Sequence, residues 1–190
     1  MSATAWIVLA LVAVVVIWAI AVYNRLVQLR NRIANAFGQI DVQLKRRYDL
    51  VPNLVEVARG YLQHEAATLQ SVIQARGQAQ GAAAAARAAP TSAGAMGALA
   101  VAEQALGGSL GRLMMVAESY PELKADATMQ SLSEELTSTE NRLGFARQAY
   151  NDQVLDFNDQ AAQFPAIVVA RLLGFPTAPM LESTRSDEER

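Results

Sequence analysis

The chain has 190 residues, with 16 Lys and Arg against 18 Asp and Glu, one His and no Cys. The missing cysteines exclude disulfides, thiolate nucleophiles and Cys-ligated zinc or iron–sulfur sites, and a formal charge of −2 gives no reason to expect nucleic acid as a partner. Ala occurs 36 times and Leu 21 times, while β-branched and aromatic residues thin out after residue 60, which points to helix rather than sheet.

Residues 3–23 carry no charged side chain. At 1.5 Å per residue such a run spans about 31 Å, the thickness of a bilayer's hydrocarbon core. Trp6 near one end, Trp18, Tyr23 at the other end and Arg25 at the exit have the chemistry of interface anchors. Residues 1–24 are therefore expected to be a single-pass anchor. A cleaved signal peptide is the rival, since Ala19, Ile20 and Ala21 form an A-x-A site, but no Lys or Arg precedes the apolar run. Residues 25–59 hold seven Lys and Arg against three acids, so the positive-inside rule predicts a cytoplasmic body on a cell inner membrane. A periplasmic or lumenal body is the alternative.

Beyond the anchor, Val22, Leu26, Leu29, Ile33, Phe37, Ile40 and Leu44 recur every three or four residues, predicting a stalk helix continuous with the membrane segment. Pro52 predicts a boundary, with Asp49 capping a second helix whose face is Leu54, Ala58, Tyr61, Leu62, Ala66, Leu69, Val72 and Ile73. Five Gly and Pro residues between 77 and 98 predict a mobile connection. A third helix is expected from about Leu99 to Ser119, ended by Pro121, and a fourth from Glu122 to Gln163 on the stripe Met129, Leu132, Leu136, Thr139, Leu143, Ala146, Tyr150, Val154, Phe157, Ala161 and Phe164. The segment 175–190 lacks apolar period and is expected to be a flexible tail. The expected fold is all-α: an elongated antiparallel bundle of about four long helices spanning residues 25–174, resembling a coiled coil in its packing.

Two blocks carry a family resemblance. The first is IDVQLKRRYDLVPNLVEVARGYLQHE from Ile40, with Ala75-Arg76 beyond it; the second is YPELKA from Tyr120, then LSEELTSTENRLGFARQAYNDQVLDFN and Phe164-Pro165. Together they resemble the bacterial LemA family over nearly the whole chain, departing in the Ala-rich stretch after Gly77 and in having Phe at 37 and 157. The resemblance implies a membrane-anchored helical bundle without established enzymatic activity. Through magnetosome-forming relatives and pairing with membrane proteases, it implies a role in membrane organisation or envelope protein quality control. The motif residues that it marks for helix register or docking are Asp41, Arg46, Arg47, Pro52, Asn53, Glu56, His64, Glu65, Arg76, Glu140, Asn141, Arg147, Tyr150, Asn151 and Asn158.

Catalytic patterns fail on residue identity. His64-Glu65 begins like a zinc-protease helix, but position 68 is Thr and no second His exists. Gly107-Gly108 and Gly111 lack the Lys-Ser/Thr of a phosphate loop, and no G-x-S-x-G elbow occurs. The expectation is a non-enzymatic scaffold or adaptor without cofactor or metal. Its partners would be the membrane and other proteins, whether copies of itself or a membrane protease. A self-assembling membrane-remodelling protein that forms rings or lattices is the alternative. Within the first reading, Glu140 is expected to pair with a guanidinium of another helix.

Overall fold

The computed structural model describes residues 3–181, and the fold is all-α, with no strand among the described residues. The elements are α1 (Ala3–Tyr61), α2 (Ala66–Ala88), α3 (Ala93–Glu118), α4 (Pro121–Ala125), α5 (Ala127–Ala162) and α6 (Ala166–Leu172). Four of them are long. Helix α1 packs along α5 on one side and α2 on the other, and α2 carries α3, so the long helices form an elongated bundle.

The 59 residues of α1 form one helix about 88 Å long. Its first third is long and apolar enough to cross a membrane, and none of that apolar window is buried in the protein. Burial begins at Leu26 and continues through Leu29, Ile33, Phe37, Ile40, Leu44, Tyr48, Val51, Leu54 and Ala58, a stripe at three- and four-residue spacing. The expected boundary at Pro52 is absent. A proline inside a helix leaves the carbonyl four residues earlier without its N–H partner, and here Arg76 Nε of α2 donates to the Tyr48 carbonyl at 2.6 Å. The helix thus continues to Tyr61, and the reversal into α2 falls at Leu62–Glu65.

The expected mobile connection over 77–98 is also corrected. Residues up to Ala88 stay helical, residues 89–92 make a short turn, and Ser92 caps α3 by accepting from the Ala95 N–H at 3.4 Å. Ala75, Ala79, Ala83 and Ala86 fall on one buried face of α2. Alanine, the best helix former, offsets the roughly 1 kcal/mol cost of each exposed glycine at 77 and 81. Beyond Pro121 the single helix expected from Glu122 is divided at Asp126, which N-caps α5 by accepting from the Thr128 and Met129 N–H groups, each at 2.9 Å.

The expected loose tail is pinned as far as Leu181. Gly174 takes φ +72°, a left-handed turn that favours glycine, and the Phe175 N–H donates to the Ala170 carbonyl at 2.9 Å. The chain then runs back along α5. The Asn158 side chain exchanges two hydrogen bonds with the backbone of Ala178, and Asn151 does the same with Leu181. Phe175, Ala178 and Leu181 are buried there. The remainder of the expected tail, 182–190, lies outside the described residues.

Candidate docking groove between α3 and α5

Helices α3 and α5 face each other across an open groove of about 600 Å³, bordered by Gly107, Gly108 and Gly111 on α3 and by Ser133, Leu136 and Thr137 on α5. Glycine leaves the α3 backbone bare: a Cβ built on Gly108 or Gly111 meets nothing within 4 Å, and one on Gly107 lies 3.6 Å from Arg47 Nη2. The glycines therefore set the groove's width rather than relieve a clash.

The floor is charged and closed on itself. Arg47 of α1 reaches Glu103 of α3 and Glu140 of α5, each at 2.9 Å through Nη1. Arg147, two turns along α5, lies 3.8 Å from the second oxygen of Glu140. Tyr48 places its hydroxyl 2.5 Å from the other oxygen of Glu103 and 3.2 Å from the Ala79 carbonyl. Arg47, Glu103 and Arg147 are buried, whereas the Glu140 side chain is 44% exposed at the groove's edge. Two guanidinium groups against two carboxylates leave the floor neutral. Burial, then the Glu103 carboxylate, pushes the Tyr48 hydroxyl far above the ordinary phenol range, so it stays a hydrogen-bond donor.

The cluster ties α1, α3 and α5 together by its ion pairs and α2 by the Tyr48–Ala79 hydrogen bond, and it presents no free base or nucleophile. Among the described residues no three His, Asp or Glu side chains gather as metal ligands. Its pivotal acid, Glu103, is not among the motif residues marked in the sequence.

The other marked residues disperse. Asp41 is gripped by Arg87 of α2 through two guanidinium nitrogens and has Lys45 at 3.6 Å. Arg46 meets Glu135 at 3.5 Å with both side chains about half exposed. Arg76 serves the Tyr48 carbonyl, and Pro52 and Asn53 are exposed on α1. Glu56 pairs with Arg59 on its own helix. His64 is exposed in the α1–α2 turn, and Glu65 accepts from Thr68 Oγ1 at 3.3 Å. Asn141 is exposed on α5, away from the floor. Tyr150 stacks edge-on with Phe37, and its hydroxyl lies 2.8 Å from the Pro90 carbonyl and 3.1 Å from that of Pro179, joining the α2–α3 turn to the returning chain. Burial pushes its pKa up to about 12. Trp6, Trp18 and Tyr23 are exposed along the apolar third of α1, and Arg25 donates to Gln28.

The family model of the LemA family matches residues 36–190. The chain belongs to the LemA family. Among curated relatives it is similar to magnetosome protein MamQ 2 and magnetosome protein MamQ 1 of Paramagnetospirillum magneticum, each 32% identical over 81 residues. It is also similar to magnetosome protein MamQ of Magnetospirillum gryphiswaldense, 30% identical over 82 residues. Each match covers 43% of this chain and 30% of the relative, so this LemA protein spans less than a third of those relatives' length.

Proposed function

We propose that this LemA protein is a non-enzymatic, membrane-anchored scaffold, serving membrane organisation or envelope protein quality control by holding a docking groove at a fixed height above the bilayer. The observation that carries this reading is the continuity of α1. One unbroken helix includes both the apolar segment and the stripe on which the bundle packs, so the body cannot swivel on a linker. The groove in the α3–α5 seam has the dimensions of a ligand or side-chain-lined cleft, and its neutral, mutually satisfied floor suits binding better than proton transfer. The similarity to magnetosome proteins supports membrane organisation over other settings. The basic stretch 25–59 supports a cytoplasmic body on a cell inner membrane.

Photo-cross-linkers at Gln104 and Thr137, on the two groove walls, test the docking role in intact membranes, with exposed Gln74 on α2 as control. The groove positions are expected to give discrete adducts that the control lacks. Equal adducts from all three, or none, would count against the groove. Adducts at twice the chain's mass would favour the ring- or lattice-forming reading.

A further inference from the structure

Helix α6 turns Ala166, Val169 and Ala170 into the protein. Its opposite face and flanks leave Phe164 84%, Val168 50%, Leu172 77% and Leu173 54% exposed. Single exposed apolar residues are ordinary on a protein surface, but four within ten residues make a patch that needs a cover. Its position names that cover. Phe175, returned to the core by the turn at Gly174, sits edge-on to Tyr23 with ring centroids 5.6 Å apart. Tyr23 closes the apolar run of α1, and Leu26, one turn on, is the first fully buried residue of the bundle. Leu172 is three residues from Phe175, hence within about 11 Å of it along the chain. The exposed face of α6 therefore stands at the level where α1 leaves the apolar segment.

We infer that α6 and its flanks form a second membrane contact, with Phe164, Val168, Leu172 and Leu173 seated in the interfacial and upper acyl region of the same bilayer that α1 crosses. This rests on the reading of α1 as an anchor. The contact is apolar rather than electrostatic. Arg171 is exposed beside the patch, but Asp156 and Asp159 are exposed at the adjoining end of α5 and offset its charge, so anionic headgroups gain little there. A helix lying in the interface at one side of the stalk, together with the stalk itself, fixes the tilt of the bundle where α1 alone fixes only its height.

The chain carries its own internal control, because both natural tryptophans, Trp6 and Trp18, lie in the apolar run. The full chain is reconstituted in phosphatidylcholine vesicles, with or without phosphatidylglycerol, whose acyl chains are brominated near the glycerol end. Leu172→Trp and, separately, Phe145→Trp, an exposed α5 position level with mid-bundle, are placed in a Trp6→Phe, Trp18→Phe background. Leu172→Trp is expected to shift to the blue and lose about half its emission to bromine, as an interfacial indole does, equally in both lipid mixtures. Phe145→Trp is expected to keep a water-like spectrum. Should Leu172→Trp behave like Phe145→Trp while the unmodified chain's tryptophans are quenched, the second contact is overturned and the anchor stands. Should the unmodified chain escape quenching, the anchor reading falls and takes this inference with it. Quenching of Leu172→Trp only with phosphatidylglycerol would overturn the apolar mechanism.

Discussion

Arg47 stands between two carboxylates of unequal burial: the side chain of Glu103 is 4% exposed and that of Glu140 44%. Removing one partner of a buried pair costs about 3 to 5 kcal/mol, whereas a half-solvated pair is screened and is worth about 1 kcal/mol or less. Glu103→Ala is therefore expected to move the urea midpoint far more than Glu140→Gln, at unchanged m-value; equal shifts would contradict the assignment of Glu103 as the principal partner. The signal for Glu103 was present in the sequence. It stands on the apolar stripe of Leu99, Leu106 and Leu110, and a lone carboxylate in that register needs a buried cation. Glu140 lies within a motif block and Glu103 does not, and no single-chain pattern specifies which arginine crosses a bundle. A second residue-scale expectation concerns Asp126, whose carboxyl is held below its usual range by the Met129 N–H, the Tyr61 hydroxyl and the Thr128 N–H. A depressed folded-state pKa means that the stabilisation is complete above the unfolded value, about 4, and is lost as pH falls through the folded value. Asp126→Asn still caps α5 but cannot titrate, so the gap in melting temperature between wild type and variant should shrink below about pH 4. A gap that stays constant into acid would show that the ionised carboxylate contributes nothing.

At the scale of elements, the continuity of α1 depends on a substitute donor. Arg76 fills the place of the N–H that Pro52 lacks, and a hydrogen bond from a charged donor contributes about 1.5 to 3 kcal/mol. Arg76→Ala is expected to be destabilising in the wild-type chain and much less so in a Pro52→Ala background, where the helix supplies its own N–H. A double-mutant cycle by denaturant unfolding measures this coupling, and strict additivity would contradict it. The helix types and the buried stripes of α1, α3 and α5 were legible from three- and four-residue spacing alone. The corners were less so. Pro52 reads as a break because its rescuer lies 24 positions away, and Gly77 and Gly81 read as breakers although Ala75, Ala79, Ala83 and Ala86 keep helical period through them. At the real corner, Leu62–Glu65, the N-cap residue Glu65 makes no side-chain cap to α2, so no N-cap signature announces it. The returning chain at 175–181 is held by Asn151 and Asn158 through backbone atoms, a partnership that leaves no apolar period to read.

In the whole molecule, one helix carries both an apolar segment long enough to cross a membrane and the bundle with its groove. The basic exit predicts the proposed orientation: protease added to intact spheroplasts is expected to spare the bundle, and digestion from outside would place the body on the other side. Retention of the segment is separately readable as the full-length mass of the purified protein, against cleavage after Ala21. The body is carried on one unbroken helix, and a distance within α1 tests this continuity. Spin labels at Asn24 and Gly60, both exposed, lie 36 residues apart, which a continuous helix sets at about 54 Å. A corner at Pro52 would fold the last eight residues back and bring the labels to about 30 Å. In the reconstituted full chain, pulsed electron–electron resonance is expected to give one narrow distribution near the longer value; a population centred on the shorter one, or a broad spread, would contradict the rigid scaffold.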